Sequence, residues 1–133
     1  MNAELATLAL EIAKANPELF NMYTFSQGWG GQEALVKDGP VFMPPCGTTA
    51  CYAGWVSYVA APAGSEIHGA FVQEPDGLYR HVEDYAIKAL GITEDQANVL
   101  FYLKDIEEVE VAVGYLADNP DADQAGLIAA VRP

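Results

Sequence analysis

Positive charge is scarce in this chain. Lysine and arginine total 6 against 19 aspartates and glutamates, a formal net charge of -13 over 133 residues. Nucleic acid and anionic lipid would both repel such a surface, so neither is expected as a direct partner. Long apolar runs are missing as well. The longest, Ala50 to Pro62, is broken only by Ser57 and falls well short of the roughly 20 residues that cross a bilayer. Residues 1–14 carry Glu4 and Glu11 in an amphipathic pattern, not the basic-then-apolar order of a signal peptide, so a cytoplasmic protein is expected. Cysteine is limited to Cys46 and Cys51, which in that compartment are expected to be thiols. Core material is plentiful. The chain is 51% apolar and 11% aromatic, which excludes intrinsic disorder, and its length fits one compact domain over residues 1–133.

Periodicity points to a mainly α fold. Asn2 can cap a first helix bearing Leu5, Leu8, Ala9 and Ile12 at helical spacing, ended by Asn16-Pro17, which can itself open a short turn through Leu19 and Phe20. Gly28-Trp29-Gly30-Gly31 is a flexible loop, and Gly39-Pro40 with Pro44-Pro45 brackets an extended Val41-Phe42-Met43. A second helix is expected from Thr48 or Thr49 to about Ala61, capped by threonine and stopped by Pro62 and Gly64. It is apolar on all sides, the mark of a central helix surrounded by other elements. Glu74-Pro75-Asp76-Gly77 is turn chemistry between two short apolar runs, so a small β-hairpin near residues 70–80 competes evenly with an ordered loop.

Three further helices follow, with a short fourth. Val82, Tyr85, Ala86, Ala89 and Leu90 share a face before a Gly91 stop. Thr93 with Gln96 forms a capping box ahead of Ala97, Leu100 and Phe101. Asp105 with Glu108 opens a helix with Ile106, Val109, Val113 and Leu116 inward, although its stretch from Val109 to Val113 also alternates like a strand. Asp121 with Gln124 is expected to cap the last helix, through Ile128 and Ala129.

Cys46-Gly47-Thr48-Thr49-Ala50-Cys51-Tyr52-Ala53-Gly54-Trp55 is the unusual string. Gly47 permits close approach to the helix start, and Cys51 is expected in the first turn, where the helix dipole favours a thiolate. Gly54 costs about 1 kcal/mol of helix propensity against alanine, so its use suggests that another element packs on the helix backbone, with Trp55 filling the space beside it. The string resembles the pattern Cys-Gly-Thr-x-x-Cys-x-Ala-Gly-Trp of small, mostly uncharacterised proteins of bacteria and their phages. The likeness extends to Phe20-Asn21-Met22 and Phe25 upstream, and to Ala89-Leu90-Gly91-Ile92-Thr93 and Leu100-Phe101 downstream. It implies a bacterial or phage origin and no particular activity; the acidic tail after Lys104 lies outside it.

Four chemistries compete over these residues. Cys46, Cys51, His68 and His81 are the right types for tetrahedral zinc, but twelve residues separate the histidines, whereas structural sites keep each pair close. No metal and no cofactor is therefore expected. Cys51 with His68 or His81 as base would make a thiol enzyme or redox centre, yet the surrounding residues look core-packed, and a Cys46–Cys51 disulfide is the related alternative. The 11 acids between Glu83 and Asp123, with Glu107, Glu108 and Glu110 on one helix, could mimic nucleic acid and block a DNA-binding protein, or form a solvated face. The favoured reading is a non-enzymatic accessory or host-interaction protein that binds another protein. Its anchors are expected at Trp29, Phe42, Met43 and Tyr79, with Glu107, Glu108 and Glu110 addressing a partner whose surface is basic or accepts aromatics. Within the motif, Cys46, Gly47, Thr48, Cys51, Gly54 and Trp55 are expected to be structural. Gly28-Trp29-Gly30-Gly31 lacks the following Lys-Ser/Thr of a nucleotide loop.

Overall fold

The computed structural model describes residues 1–15, 35–36, 51–68, 70–103 and 105–133, with the backbone alone for Leu35, Val36 and His68. Trp29 and its glycine loop, the turn after Asn16-Pro17, Phe42, Met43, Cys46, Gly47, Thr48 and Thr49 lie outside the described residues. Helix α1 spans Ala3–Ala15, and the Asn2 side chain accepts the Leu5 N–H at 3.1 Å as its cap. Its buried stripe is Ala6, Ala9, Leu10, Ile12 and Ala13, turned from the expected one, because Leu5 and Leu8 are only partly covered. The small alanines let α1 lie close to the bulky residues of the next helix.

That helix, α2, spans Tyr52–Ala60 and is buried from Tyr52 to Tyr58. It starts later than the threonines suggest. Cys51 is the N-cap, with extended backbone and no capping bond from its side chain, and its carbonyl takes the first helical bond, from the Trp55 N–H at 3.0 Å. Cys51 therefore precedes the first turn and is not part of it. Helix α2 packs against α1 and against α3, Val82–Leu90. The Tyr52 hydroxyl donates to the Ala6 carbonyl at 2.6 Å, and the Ser57 hydroxyl to the Val82 carbonyl at 3.0 Å. Both bonds satisfy buried polar groups, which would otherwise each cost about 1–3 kcal/mol. Trp55 meets Tyr58 edge-on, and with Ile12, Ala13 and Ile67 they join α1 and α2 to the sheet.

The hairpin forms, within a larger sheet. Strands β1 (Leu35–Val36), β2 (Glu66–His68), β3 (Phe71–Gln73) and β4 (Tyr79–His81) pair antiparallel in that order. Strands β1 and β2 carry no sequence signal, since pieces two and three residues long hold too little alternation to register. Gly77 takes φ +92° in the turn, a left-handed conformation that favours glycine, and Asp76 accepts the Leu78 N–H at 3.0 Å.

Capping chemistry sets the remaining helices. His81 caps α3 at its start, and Gly91 ends it at φ 70°. Thr93 and Gln96 form the capping box of α4, Glu94–Leu100. Asp105 caps α5, Ile106–Asp118, whose buried residues Val109, Ala112, Val113 and Leu116 follow helical spacing and leave Val111 exposed. The strand-like alternation in α5 thus yields to the helix. Helix α6, Gln124–Val131, is capped by Asp123, whose carboxylate accepts the Gly126 N–H at 2.7 Å. Asp121 is not the cap: it sits two residues earlier, in the turn that follows Asn119. The Gln96 side chain is buried because its amide also donates to the Pro120 and Ala122 carbonyls, at 2.8 and 3.0 Å, tying α4 to that turn.

Candidate functional site

Antiparallel pairing decides which residues share a face of the sheet, because directly opposed residues point the same way. Phe71 pairs with His68 on one side and His81 on the other, and Gln73 pairs with Glu66 and Tyr79. These rows alternate with the buried Ile67 and Val72. Phe71, Tyr79 and His81 therefore stand together on the face turned away from the core. The Phe71 and Tyr79 rings stack at 5.0 Å and 12°, and Phe71 meets His81 edge-on at 5.5 Å and 82°.

Exposure sets this cluster apart. Phe71 is 39% exposed and Tyr79 52%, although each ring already covers part of the other. The arrangement is also held in place. The turn is closed by Glu74 and Leu78, whose backbones bond at 2.8 Å. The His81 Nδ1 accepts the Glu83 N–H at 3.1 Å, so the imidazole is fixed at the mouth of α3. Rings anchored in this way lose little freedom on contact with a partner. The surroundings are acidic: a depression at the turn is lined by Gly64, Glu66, Gln73, Glu74, Pro75 and Gly77.

The sequence-predicted residues are placed as follows. Tyr79 belongs to the cluster. Phe71 escaped the sequence reading as an anchor, since it sits inside an apolar triplet with Ala70 and Val72. The signal that finds it is register, which turns Val72 inward and Phe71 outward. Tyr102, 61% exposed, was also missed; its hydroxyl donates to the Glu83 carboxylate, with contacts of 3.0 and 3.1 Å. Glu107 and Glu110 are exposed on α5 and Glu108 is partly covered. Two of the three are engaged, Glu108 with Arg132 through bonds of 2.9 and 3.3 Å and Glu110 with Lys14.

Cys51 is buried, as are Gly54 and Trp55. Burial pushes the Cys51 thiol above its usual range and outweighs the pull of the backbone at Gly54 and Ala53 in the other direction. A thiol so placed is held in its neutral form, opposite to what a nucleophile needs. The strands set His68 and His81 on either side of Phe71, and His81 spends Nδ1 on its cap. Among the described residues, no group of three or more His, Cys, Asp and Glu converges to hold a metal ion. No described helix is long and apolar enough to cross a membrane. Comparison of the chain with protein-family models, curated proteins and solved structures finds no match.

Proposed function

We propose that this is a non-enzymatic accessory or host-interaction protein, cytoplasmic and of bacterial or phage origin, that binds another protein through the aromatic face of its sheet. The observation that supports the reading is the stacked Phe71–Tyr79 pair, exposed and flanked by His81 on a hairpin closed by its turn and by the His81 cap. Exposed aromatics on a fixed scaffold are the residue type that most often carries interface energy. The bacterial or phage origin rests on the resemblance of residues 46–55. The acidic surroundings favour a partner with a basic rim, whose charges would steer its approach while the rings hold it.

The test is capture from a bacterial lysate with the wild-type chain and with a Phe71→Ser/Tyr79→Ser variant, followed by binding kinetics on the captured protein. The double change should raise the dissociation rate at least tenfold with little dependence on salt, as loss of a hot spot of about 2 kcal/mol predicts. A partner held equally by both proteins sinks the reading. Changing Glu107 to Gln should slow association alone, and only at low ionic strength.

A further inference from the structure

On the other side of β4 lies a cleft of about 350 Å³, lined by Ala60, Glu74, Leu78, Arg80, Tyr85, Lys88 and Ala89. Its charge is the exception in a protein of net -13. Of the described cations, Lys14 and Arg132 are engaged by Glu110 and Glu108. Arg80 and Lys88 have no carboxylate within ion-pair distance among the described residues, and both face this cleft. The topology brings them together: Arg80 is the middle residue of β4, and Lys88 lies in the last turn of α3, which follows directly.

The carboxylate in the lining is already committed. Glu74 Oε1 accepts the Tyr85 hydroxyl at 2.7 Å. Tyr85 is held in its neutral, donating form by burial first and by Glu74 second. Asp76 is not among the lining residues; its Oδ1 accepts the Leu78 N–H, and it keeps its negative charge. Within the lining two cations stand against one carboxylate, an excess of one positive charge, and the nearby Asp76 adds a negative charge that weighs further against a dianion. Ala60, Leu78 and Ala89 supply an apolar wall, and the volume lies at the small-ligand end of the range for binding clefts.

We propose that this cleft binds the carboxylate of a small organic acid, with Arg80 and Lys88 as its donors and Ala60, Leu78 and Ala89 against its apolar body. A monoanion brings the lining to neutrality. A phosphate dianion would leave a surplus negative charge beside Glu74, so the site selects against it. Charge-assisted hydrogen bonds of this kind are the strong ones, and removing one should weaken binding about tenfold.

The test is titration of the isotope-labelled full chain at constant ionic strength with benzoate, with its neutral analogue benzamide, and with inorganic phosphate. Benzoate should give saturable amide shifts at Arg80, Tyr85 and Lys88 in the millimolar range. Benzamide and phosphate should bind at least tenfold more weakly. Lys88→Gln, at an exposed position, should lower benzoate affinity about tenfold while leaving the rest of the spectrum in place, and Arg80→Gln should do the same. Shifts that do not saturate, benzamide or phosphate binding as tightly as benzoate, or a Lys88→Gln variant with undiminished affinity would each overturn the assignment.

Discussion

Trp55 has no exposed surface and joins α1, α2 and the sheet through Ile12, Ala13, Tyr58 and Ile67. Trp55→Ala should therefore cost about 3–5 kcal/mol, measured by denaturant unfolding, because so large a void cannot be refilled by its neighbours. A second consequence of burial shows at high pH. Tyr52 and Cys51 are both held above their usual ranges, chiefly by desolvation. The unfolded chain then releases protons that the folded chain keeps, so stability must fall as pH rises past the ordinary thiol and phenol range, about 8.5 to 10. Unfolding free energy measured from pH 8 to pH 11 should decline, and Tyr52→Phe should flatten the upper part of that decline. The Tyr52→Phe change itself removes the buried bond to Ala6, about 1 kcal/mol at neutral pH.

At the level of elements, stability rests on how each helix begins. His81 is an unusual cap: an imidazole nitrogen takes the place of a serine or aspartate oxygen. His81→Ala should destabilise the protein by about 0.5–2 kcal/mol in thermal unfolding, and His81→Asn, which keeps an acceptor, should recover most of it. This cap also shows where reading the sequence stops. Thr93 with Gln96 and Asp105 with Glu108 are legible because the capping bonds are local, spanning three residues. So are Gly91 and the turn at Glu74 to Gly77. His81 carries no such cue, since its capping role depends on a strand ending where a helix starts. Strands β1 and β2 are illegible for a related reason: their identity comes from pairing, β1 with β2 and β2 with β3, which are contacts made in space. The aromatic face inherits that limit. Tyr79 stands out alone beside a turn, while Phe71 becomes its partner only once the register is known.

Across the whole molecule the balance of charge works against compaction. A net charge of -13 on a chain this short repels itself, and described ion pairs such as Lys14–Glu110 and Arg132–Glu108 offset little of it. Screening should therefore stabilise the fold. Raising salt from about 0.01 M to 0.15 M shortens the screening length from roughly 30 to 8 Å, and the melting temperature at pH 7 should rise over that interval. A fall would mean that local ion pairs outweigh the global repulsion. The same connectivity has a consequence for how the chain emerges during synthesis. Helix α1 is made early, yet it rests on α2 and on α5, and α5 begins 91 residues after α1 ends, at 106 against 15. At translation speeds of roughly 5–20 residues per second, that is a wait of about 5–20 s. Throughout that interval Leu10, Ile12 and the alanines of α1 have no α5 to cover them. The nascent chain thus carries that apolar stripe without its α5 cover during that wait, and a stop codon placed before residue 106 would leave α1 without that cover for good.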